Sequence, residues 1–134
     1  MSFSLFTDGG SRGNPGPSAI GIVLKNKNGE VIYEASKYIG KYTNNDAEYL
    51  ALIQGLIIAN EKKIKSIASY LDSELLVKQL NGEYKVKNER LQKLFTKVRN
   101  LENKFTKVSF THVRREKNKR ADELVNEALD SNGF

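Results

Sequence analysis

Four acidic residues occupy positions from which their carboxylates can act together. Asp8 and Asp72 each follow a short apolar run that is typical of a buried strand. Glu48 and Asp122 lie near the starts of two segments with helical periodicity, each on the apolar face of its segment. Carboxylate oxygens are the preferred protein ligands of hard divalent cations such as Mg²⁺. These residue types therefore predict a divalent-metal site, provided that the fold brings them together.

The apolar periodicity of the chain predicts an α/β fold with the element order βββαβααβα. Strands are predicted at residues 2–8, 18–26, 30–39, 66–71 and 105–113, and helices at 46–61, 74–80, from 89 onward and at 119–129. An Asn28-Gly29 turn favours an antiparallel meander of the first three strands. The first helix permits a crossover that lays the fourth strand parallel to the first. We therefore predict a five-stranded mixed sheet in the order 3-2-1-4-5, with strand 2 antiparallel.

This topology brings the four acids to one place. Asp8 and Asp72 end neighbouring strands at the carboxyl edge of the sheet, where open α/β sheets bind ligands. Glu48 and Asp122 start helices packed on that sheet. Each acid also has a purely structural interpretation: the two aspartates as turn residues, Glu48 at capping-box spacing from Asn45, and Asp122 at a helix dipole. The joint placement of all four at one edge favours a functional site.

A glycine-rich loop follows Asp8 and contains two prolines, Pro15 and Pro17. It lacks the Gly-Lys-Ser/Thr ending of a phosphate-binding P-loop, and it leads to a strand instead of the helix of a dinucleotide-binding fingerprint. It is therefore predicted to turn a hairpin. We expect the prolines to exclude a central strand there, and the glycines to let a ligand approach the backbone closely.

The composition excludes several classes of protein. The 134 residues suit one domain, residues 1–134, and the absence of cysteine excludes disulfides, thiolate nucleophiles and Cys-zinc sites. The formal net charge is +6, which suits either a polyanionic partner or ordinary solubility. No apolar stretch is long enough to span a bilayer and no signal sequence opens the chain, so we expect a cytoplasmic protein without membrane contact.

Converging carboxylates and a basic surface together indicate a nuclease. Four carboxylates within a few Å repel one another and resist ionisation unless cations lie among them. Two Mg²⁺ ions roughly 3.5–4 Å apart serve phosphodiester cleavage, one by activating water and the other by stabilising the leaving oxygen.

Five motifs carry a resemblance that covers nearly the whole chain. They are residues 6–11 (FTDGGS), 14–16 (NPG), 43–48 (TNNDAE), 71–73 (LDS) and 118–122 (NKRAD). The chain resembles a type 1 ribonuclease H. The resemblance implies a ribonuclease H-like fold and hydrolysis of the RNA strand of RNA–DNA hybrids, leaving 5′-phosphate and 3′-hydroxyl ends. It also implies two Mg²⁺ ions, with Mn²⁺ as a substitute.

The resemblance assigns a role to each acid. Asp8 is implied to bridge the two ions, and Asp122 to help hold the ion that carries the attacking water. Glu48 and Asp72 are implied to hold the other ion.

A fifth catalytic residue is expected in the loop before the last helix. Many relatives carry a histidine there that assists product release or proton movement, and a shorter variant group uses arginine. Arg115 lies in this loop and is our candidate for that role. His112 falls inside the strand pattern, so we expect it to be a packed structural residue.

The resemblance further implies a set of substrate-binding residues. The set is Gly9, Gly10, Ser11, Gly13, Asn14, Thr43, Asn44, Asn45, Glu74, Lys85 and Lys87. Backbone around Ser11 and Gly13, together with Asn44, is implied to read RNA 2′-hydroxyl groups. Thr43 and Asn45 match residues that bind a DNA-strand phosphate.

The chain departs from the family pattern at two of these positions. Relatives commonly carry an amide where this chain has Glu74. The segment between Leu80 and Glu89 is too short for the basic protrusion helix of some relatives, and we expect Lys85 and Lys87 to replace it in part. We expect a monomer. A variant that cleaves double-stranded RNA and a non-catalytic hybrid-binding module on the same fold are the alternatives.

Overall fold

Five strands and four helices follow the predicted order. The computed structural model describes residues 3–134. The strands are β1 (Phe3–Ser11), β2 (Gly16–Lys25), β3 (Val31–Tyr42), β4 (Ser66–Leu71) and β5 (Lys107–His112). The helices are α1 (Asn44–Glu61), α2 (Glu74–Leu80), α3 (Glu89–Glu102) and α4 (Lys119–Ser131), with a 3₁₀ turn at Arg115–Lys117. Within this part of the chain, no helix combines the length and apolarity needed to cross a membrane.

The strands form one mixed sheet in the order β3-β2-β1-β4-β5, as predicted. β2 is antiparallel to both β1 and β3, whereas β4 is parallel to β1 and β5. Phe6 pairs with Tyr70 across the β1–β4 boundary. Asp8 and Asp72 each lie two residues farther along, so the parallel register brings both to the same level of the carboxyl edge.

Two strands are longer than the pattern indicated. β1 continues through the glycines to Ser11 instead of ending at residue 8, and β3 continues to Tyr42 instead of residue 39. These extra residues pair with the start of β2, which begins at Gly16. The predicted first residue of strand 1, Ser2, lies outside the described residues.

Pro17 lies inside β2, an internal strand, so the prediction that the prolines exclude a central strand here was wrong. The register explains why the sheet tolerates it. β1–β2 pairing extends only as far as the Ser11–Ser18 pair. Pro17 lies just beyond it and contributes its carbonyl, which accepts a hydrogen bond from the Arg12 N–H at 2.8 Å.

The two faces of the sheet are covered by different helices. α1 packs on β1 and β2, and α2 and α3 complete the same core. α4 packs on the opposite face of β1, β2 and β3, where it forms two smaller apolar clusters. Tyr49 of α1 is fully buried and donates a hydrogen bond from its hydroxyl to Gln79 of α2 at 2.7 Å.

Both helix layers approach the sheet most closely at glycines. A Cβ on Gly21 of β2 would lie 2.1 Å from the Ala121 carbonyl oxygen of α4. A Cβ on Gly55 of α1 would lie 3.0 Å from the methyl groups of Leu5 and 3.1 Å from that of Thr7. Gly55 therefore marks close packing of the first helix on the sheet.

These two glycines should respond differently to alanine. Gly21→Ala is expected to lower the free energy of unfolding by about 3 kcal/mol, because its new methyl group meets helix backbone that cannot rotate away. Gly55→Ala should stay within about 1 kcal/mol of the parent, since alanine gains helix propensity and meets only side-chain methyls. Urea unfolding followed by circular dichroism measures both. Equal losses at the two positions would contradict this account of the packing.

Candidate active site

Three carboxylates meet at the carboxyl edge of β1 and β4. Asp8, Glu48 and Asp72 each offer one oxygen, and these oxygens lie within 4.8 Å of one another. Asp8 is only 7% exposed and Glu48 only 8%. The backbone N–H of Gly9 donates to Glu48 Oε1 at 3.1 Å, which fixes the glutamate of α1 against β1.

Asp122 belongs to α4, so it approaches these acids from the face of the sheet opposite to the one on which α1, with Glu48, packs. The Cβ position of Gly10 faces Val125 of α4. Residues two apart in a strand share a face, so Asp8 also lies on the face of β1 that α4 covers. Asp122, in the first turn of α4, lines the same cavity as the other three acids. It lies outside the group of three that share the 4.8 Å separation. The predicted convergence of all four acids is thus reproduced, with Asp122 beside the closest group.

The acids form part of the wall of an open cavity of about 430 Å³. Six other residues named from the sequence also line it: Gly9, Gly10, Ser11, Asn44, Asn45 and Arg115. Arg12, Ser73, Val125, Asn126 and Leu129 complete the lining.

Burial and mutual repulsion make these acids poor anions in the absence of a counter-charge. Burial is the main cause that raises the pKa of Asp8 to about 7, and the charges of Asp72 and Asp122 add to it, while hydrogen bonding with Glu48 opposes it. Burial also raises the pKa of Glu48 well above its usual range, with Asp8 contributing by hydrogen bonding and charge.

The donor set matches a divalent cation. Glu48 Oε2 is buried and has no hydrogen-bond partner among the described residues, so it is free to bind a positive ion. A cation among the three carboxylates would offset the burial and the repulsion that raise these pKa values. Oxygen-only ligands favour hard ions. The residues present therefore fit a bound divalent metal.

A hydrogen-bonded network shapes the rim around the β1–β2 turn. The Ser11 N–H donates to Asn44 Oδ1 at 2.8 Å, and the Asn44 N–H donates to Asn14 Oδ1 at 3.0 Å. The Ser11 hydroxyl donates to the Tyr42 carbonyl at 3.0 Å. Gly13, with φ 109°, adopts a left-handed conformation that favours glycine. The network ties three of the predicted substrate-binding residues into one rigid unit.

Thr43, not Asn45, caps α1. The Thr43 hydroxyl accepts from the Asp46 N–H at 3.1 Å, and the Asp46 carboxylate accepts from the Thr43 N–H at 3.4 Å. This capping box leaves Glu48 outside the capping interactions, so the structural interpretation of Glu48 as a capping residue was wrong. Asp46 also accepts from Arg90 Nε at 2.8 Å, which joins the start of α1 to α3.

Six of the predicted substrate-binding residues do not line this cavity: Gly13, Asn14, Thr43, Glu74, Lys85 and Lys87. Glu74, at the start of α2, lies 3.9 Å from Lys78 in an exposed ion pair. Lys85 and Lys87 are exposed in the segment between α2 and α3. None of them lines the cavity.

The two candidates for the fifth catalytic residue lie in different environments. Arg115 lines the cavity from the 3₁₀ turn that precedes α4. His112 is exposed at the end of β5. The prediction that His112 is packed was wrong, because β5 is an edge strand and His112 is its last residue.

Asn118 contributes to the site in a way that the sequence did not reveal. It occupies the N-cap position of α4, but its side chain makes no capping hydrogen bond. Instead, its Nδ2 group donates to the Thr7 carbonyl at 2.9 Å and to Asp72 Oδ2 at 3.3 Å. The only sequence signal for this role is its place in the NKRAD motif, four residues before Asp122.

The raised pKa of Asp8 predicts how the metal-free protein responds to pH. A carboxyl whose pKa is higher in the folded chain than in the unfolded chain binds its proton more tightly when folded. Its contribution to the free energy of unfolding is therefore present at low pH and is lost as pH rises through about 7. The free energy of unfolding in EDTA should fall by on the order of 2 kcal/mol between pH 5 and pH 8. Urea titrations at both pH values check this. Asp8→Asn should show a smaller fall, and an unchanged fall would contradict the assignment to Asp8.

One family model and two relatives match most of this chain. A family model described as "Reverse transcriptase-like" matches residues 6–128. The ribonuclease HI of Halobacterium salinarum is 44% identical over 125 residues, which are 93% of this chain and 63% of the relative. The bifunctional protein Rv2228c of Mycobacterium tuberculosis is 39% identical over 98% of this chain, and the match covers 36% of its length. The chain thus spans less than two thirds of the length of either relative.

Solved structures match over nearly their full length. RNase H1 from Halobacterium salinarum superposes with a TM-score of 0.95 at 42% identity, covering 98% of this chain and 99% of that one. LC11-RNase H1, solved in complex with an RNA/DNA hybrid, has a TM-score of 0.93 at 43% identity with the same coverage of both chains. The predicted ribonuclease H-like fold is confirmed. With its sheet order, its cluster of acids and these matches, the chain belongs to the type 1 ribonuclease H family.

Proposed function

We propose that this chain is an endonuclease that hydrolyses the RNA strand of RNA–DNA hybrids and leaves 5′-phosphate and 3′-hydroxyl ends. The observation that carries the proposal is the close approach of Asp8, Glu48 and Asp72 in a cavity that Asp122 and Arg115 also line. The relative LC11-RNase H1, 43% identical, was solved with an RNA/DNA hybrid, which supports this choice of substrate.

Two Mg²⁺ ions, with Mn²⁺ as a substitute, are the proposed cofactors. Asp8 interacts with each of the other three acids and is the proposed shared ligand, with Glu48 and Asp72 for one ion and Asp122 for the other. When bound, such a pair supplies an activated water and a counter-charge for the leaving oxygen. The chain's own contribution is to hold the carboxylates in place, as the Gly9 N–H does for Glu48.

Arg115 is proposed to bind the scissile or product phosphate. An arginine guanidinium acts as a fixed positive charge and hydrogen-bond donor instead of a proton shuttle. It lines the same cavity as the acids, from a short turn that is anchored to α4.

Discrimination between RNA and DNA is assigned to the rim of the β1–β2 turn. The backbone of Gly9, Gly10 and Ser11 lines the cavity without bulky side chains, so a ribose edge can approach it. Asn44 Oδ1 is engaged by the Ser11 N–H at 2.8 Å, so its Nδ2 group remains to donate to a 2′-hydroxyl oxygen. We place Gly13 and Asn14 in the same RNA-facing rim.

The DNA strand is proposed to lie beside the start of α1. Thr43 and Asn45 would contact one of its phosphates, close to the positive end of the helix dipole. Lys85 and Lys87 would contact the backbone farther along, outside the cavity. For Glu74 we propose a water-mediated contact at most, since an exposed carboxylate repels phosphate.

Matched substrates test the proposal. The chain should cleave an RNA–DNA hybrid in Mg²⁺ and leave a DNA duplex of the same sequence intact, because only the hybrid offers 2′-hydroxyls to the rim. A double-stranded RNA of the same sequence decides whether that substrate is also cut. Binding of the hybrid without cleavage in either Mg²⁺ or Mn²⁺ would replace this proposal with a non-catalytic hybrid-binding module.

Neutralising one acid should separate catalysis from binding. Asp8→Asn and Asp72→Asn are expected to reduce hybrid cleavage to background, because each removes an anionic metal ligand. Hybrid affinity in EDTA should change less than about twofold, since the residues proposed to contact ribose and phosphate stay in place. Glu61→Gln, which changes an exposed acid at the far end of α1, is the control. Turnover near the parent rate in either variant would contradict the metal-site assignment.

Arg115→Ala tests the fifth catalytic residue. Loss of its positive charge is expected to lower kcat by roughly 10- to 100-fold with a smaller change in KM. Arg114→Ala is the matched control, because Arg114 is the preceding arginine and does not line the cavity. An unchanged kcat for Arg115→Ala would exclude Arg115 from the mechanism.

A further inference from the structure

Asn118 links the elements that carry the acids, and no role in the proposed chemistry explains its contacts. Its side chain is 2% exposed, so it lies inside the fold and not on the cavity rim. The Nδ2 group donates to the carbonyl of Thr7, the residue before Asp8, and to the carboxylate of Asp72. One amide therefore connects the middle of β1, from which Asp8 projects, to Asp72, which follows β4.

The backbone of Asn118 makes two further contacts at the same site. Its N–H donates to the Arg115 carbonyl at 2.9 Å, and its carbonyl accepts from the Asp122 N–H at 3.1 Å. The first contact closes the 3₁₀ turn that carries Arg115, and the second begins α4 four residues before Asp122. The side chain of Asn118 thus joins this segment to Thr7 of β1 and to Asp72, which follows β4.

The stability of α4 does not account for this amide. A residue at the N-cap normally uses its side-chain oxygen to accept from the first turn of the helix, and Asn118 makes no such bond. Asn118 Oδ1 is instead buried without a partner in residues 3–134. An unpaired buried acceptor destabilises a fold. An amide at this position is therefore better explained by the hydrogen bonds that its Nδ2 group donates to Thr7 and Asp72.

The neutrality of the side chain suits the site. A carboxylate here would add a further negative charge beside Asp72. A lysine or arginine would form an ion pair with Asp72 and compete with a cation for its oxygens. An amide holds one Asp72 oxygen by a hydrogen bond, leaves the net charge unchanged and leaves the other oxygen available.

We propose that Asn118 is a positioning residue of the active site. Its amide holds the Asp72 carboxylate against the end of β1, so that Asp8 and Asp72 keep the separation at which they can share a divalent cation. The same contacts hold the start of α4 so that Asp122 and Arg115 face that cation. The catalytic part rests on the proposed function, whereas the cation-binding part does not.

The test compares Asn118→Leu and Asn118→Ala with the parent protein. Leucine keeps nearly the same shape and removes both the donor and the unpaired acceptor, so the fold is retained while the link to Asp72 is lost. Mn²⁺ affinity measured by calorimetry without nucleic acid should weaken at least fivefold in both variants. On the hybrid, kcat should fall at least tenfold while KM stays within about twofold, since the substrate-contacting rim is untouched.

Two controls separate positioning from general destabilisation. Asn81→Ala removes a comparable amide hydrogen bond, from Nδ2 to the Phe110 carbonyl at 3.1 Å, which lies away from the acids. Val98→Ala creates a cavity in the fully buried part of α3. Neither should change Mn²⁺ affinity at temperatures where the protein is folded. If Asn118→Leu also binds Mn²⁺ with the parent affinity and keeps the parent kcat, the proposal is wrong.

A measurement on the parent protein covers the case in which the variants do not fold. The two Asn118 side-chain amide protons should exchange slowly with solvent, and their NMR signals should shift with Mg²⁺ along the same saturation curve that calorimetry with Mg²⁺ gives. Signals that do not move would overturn the proposal. Because neither this titration nor the calorimetry uses a nucleic acid, a failure of the hybrid-cleavage proposal would leave both results interpretable.

Discussion

The constraint that organises this structure is the cost of bringing negative charges together in a partly dry place. Asp8 and Glu48 are more than nine-tenths buried, and Asp72 lies close enough to share a single cation with them. Isolated carboxylates avoid such an arrangement by protonation or by turning to solvent. Here main-chain features keep the side chains from turning to solvent: a parallel strand pair brings Asp8 level with Asp72, and the Gly9 N–H holds Glu48 in place. Folding therefore imposes an electrostatic cost on these carboxylates, and a bound cation would offset that cost.

Much of the fold and of the acid cluster could be predicted, because the sequence signals for them are local. Apolar periodicity located the strands and helices, an Asn-Gly turn indicated the hairpin, and the handedness of crossovers restricted the sheet order. Once that order is known, residues at the ends of neighbouring strands must meet, and Asp8 and Asp72 do. Strand ends were less well predicted. The glycines and the proline at the β1–β2 turn are typical of a loop. The long β3 strand nevertheless extends its pairing with β2 to Gly16 and Pro17.

The features that could not be predicted depend on contacts between distant parts of the chain. The hydrogen bond from Asn118 to Thr7 joins residues 111 positions apart, and an asparagine before a helix reads first as a cap. His112 follows the inward alternation of its strand, but the position of β5 at the sheet edge leaves it exposed. Whether Lys85 and Lys87 meet a substrate depends on a partner surface that no sequence pattern encodes.

The glycines in β1 and β2 determine how close the two helix layers come. Gly9 sits where a Cβ would lie 2.1 Å from the Ala47 carbonyl of α1, and Gly21, the cross-strand partner of Asp8, stands in the same relation to α4. Both helix layers therefore meet sheet backbone beside these acids, and Glu48 and Asp122 approach the cavity from opposite faces. A larger residue at Gly9 would push α1, with Glu48, away from the sheet, and a larger residue at Gly21 would do the same to α4, with Asp122. The shape of the cavity thus depends on two positions that carry no side chain.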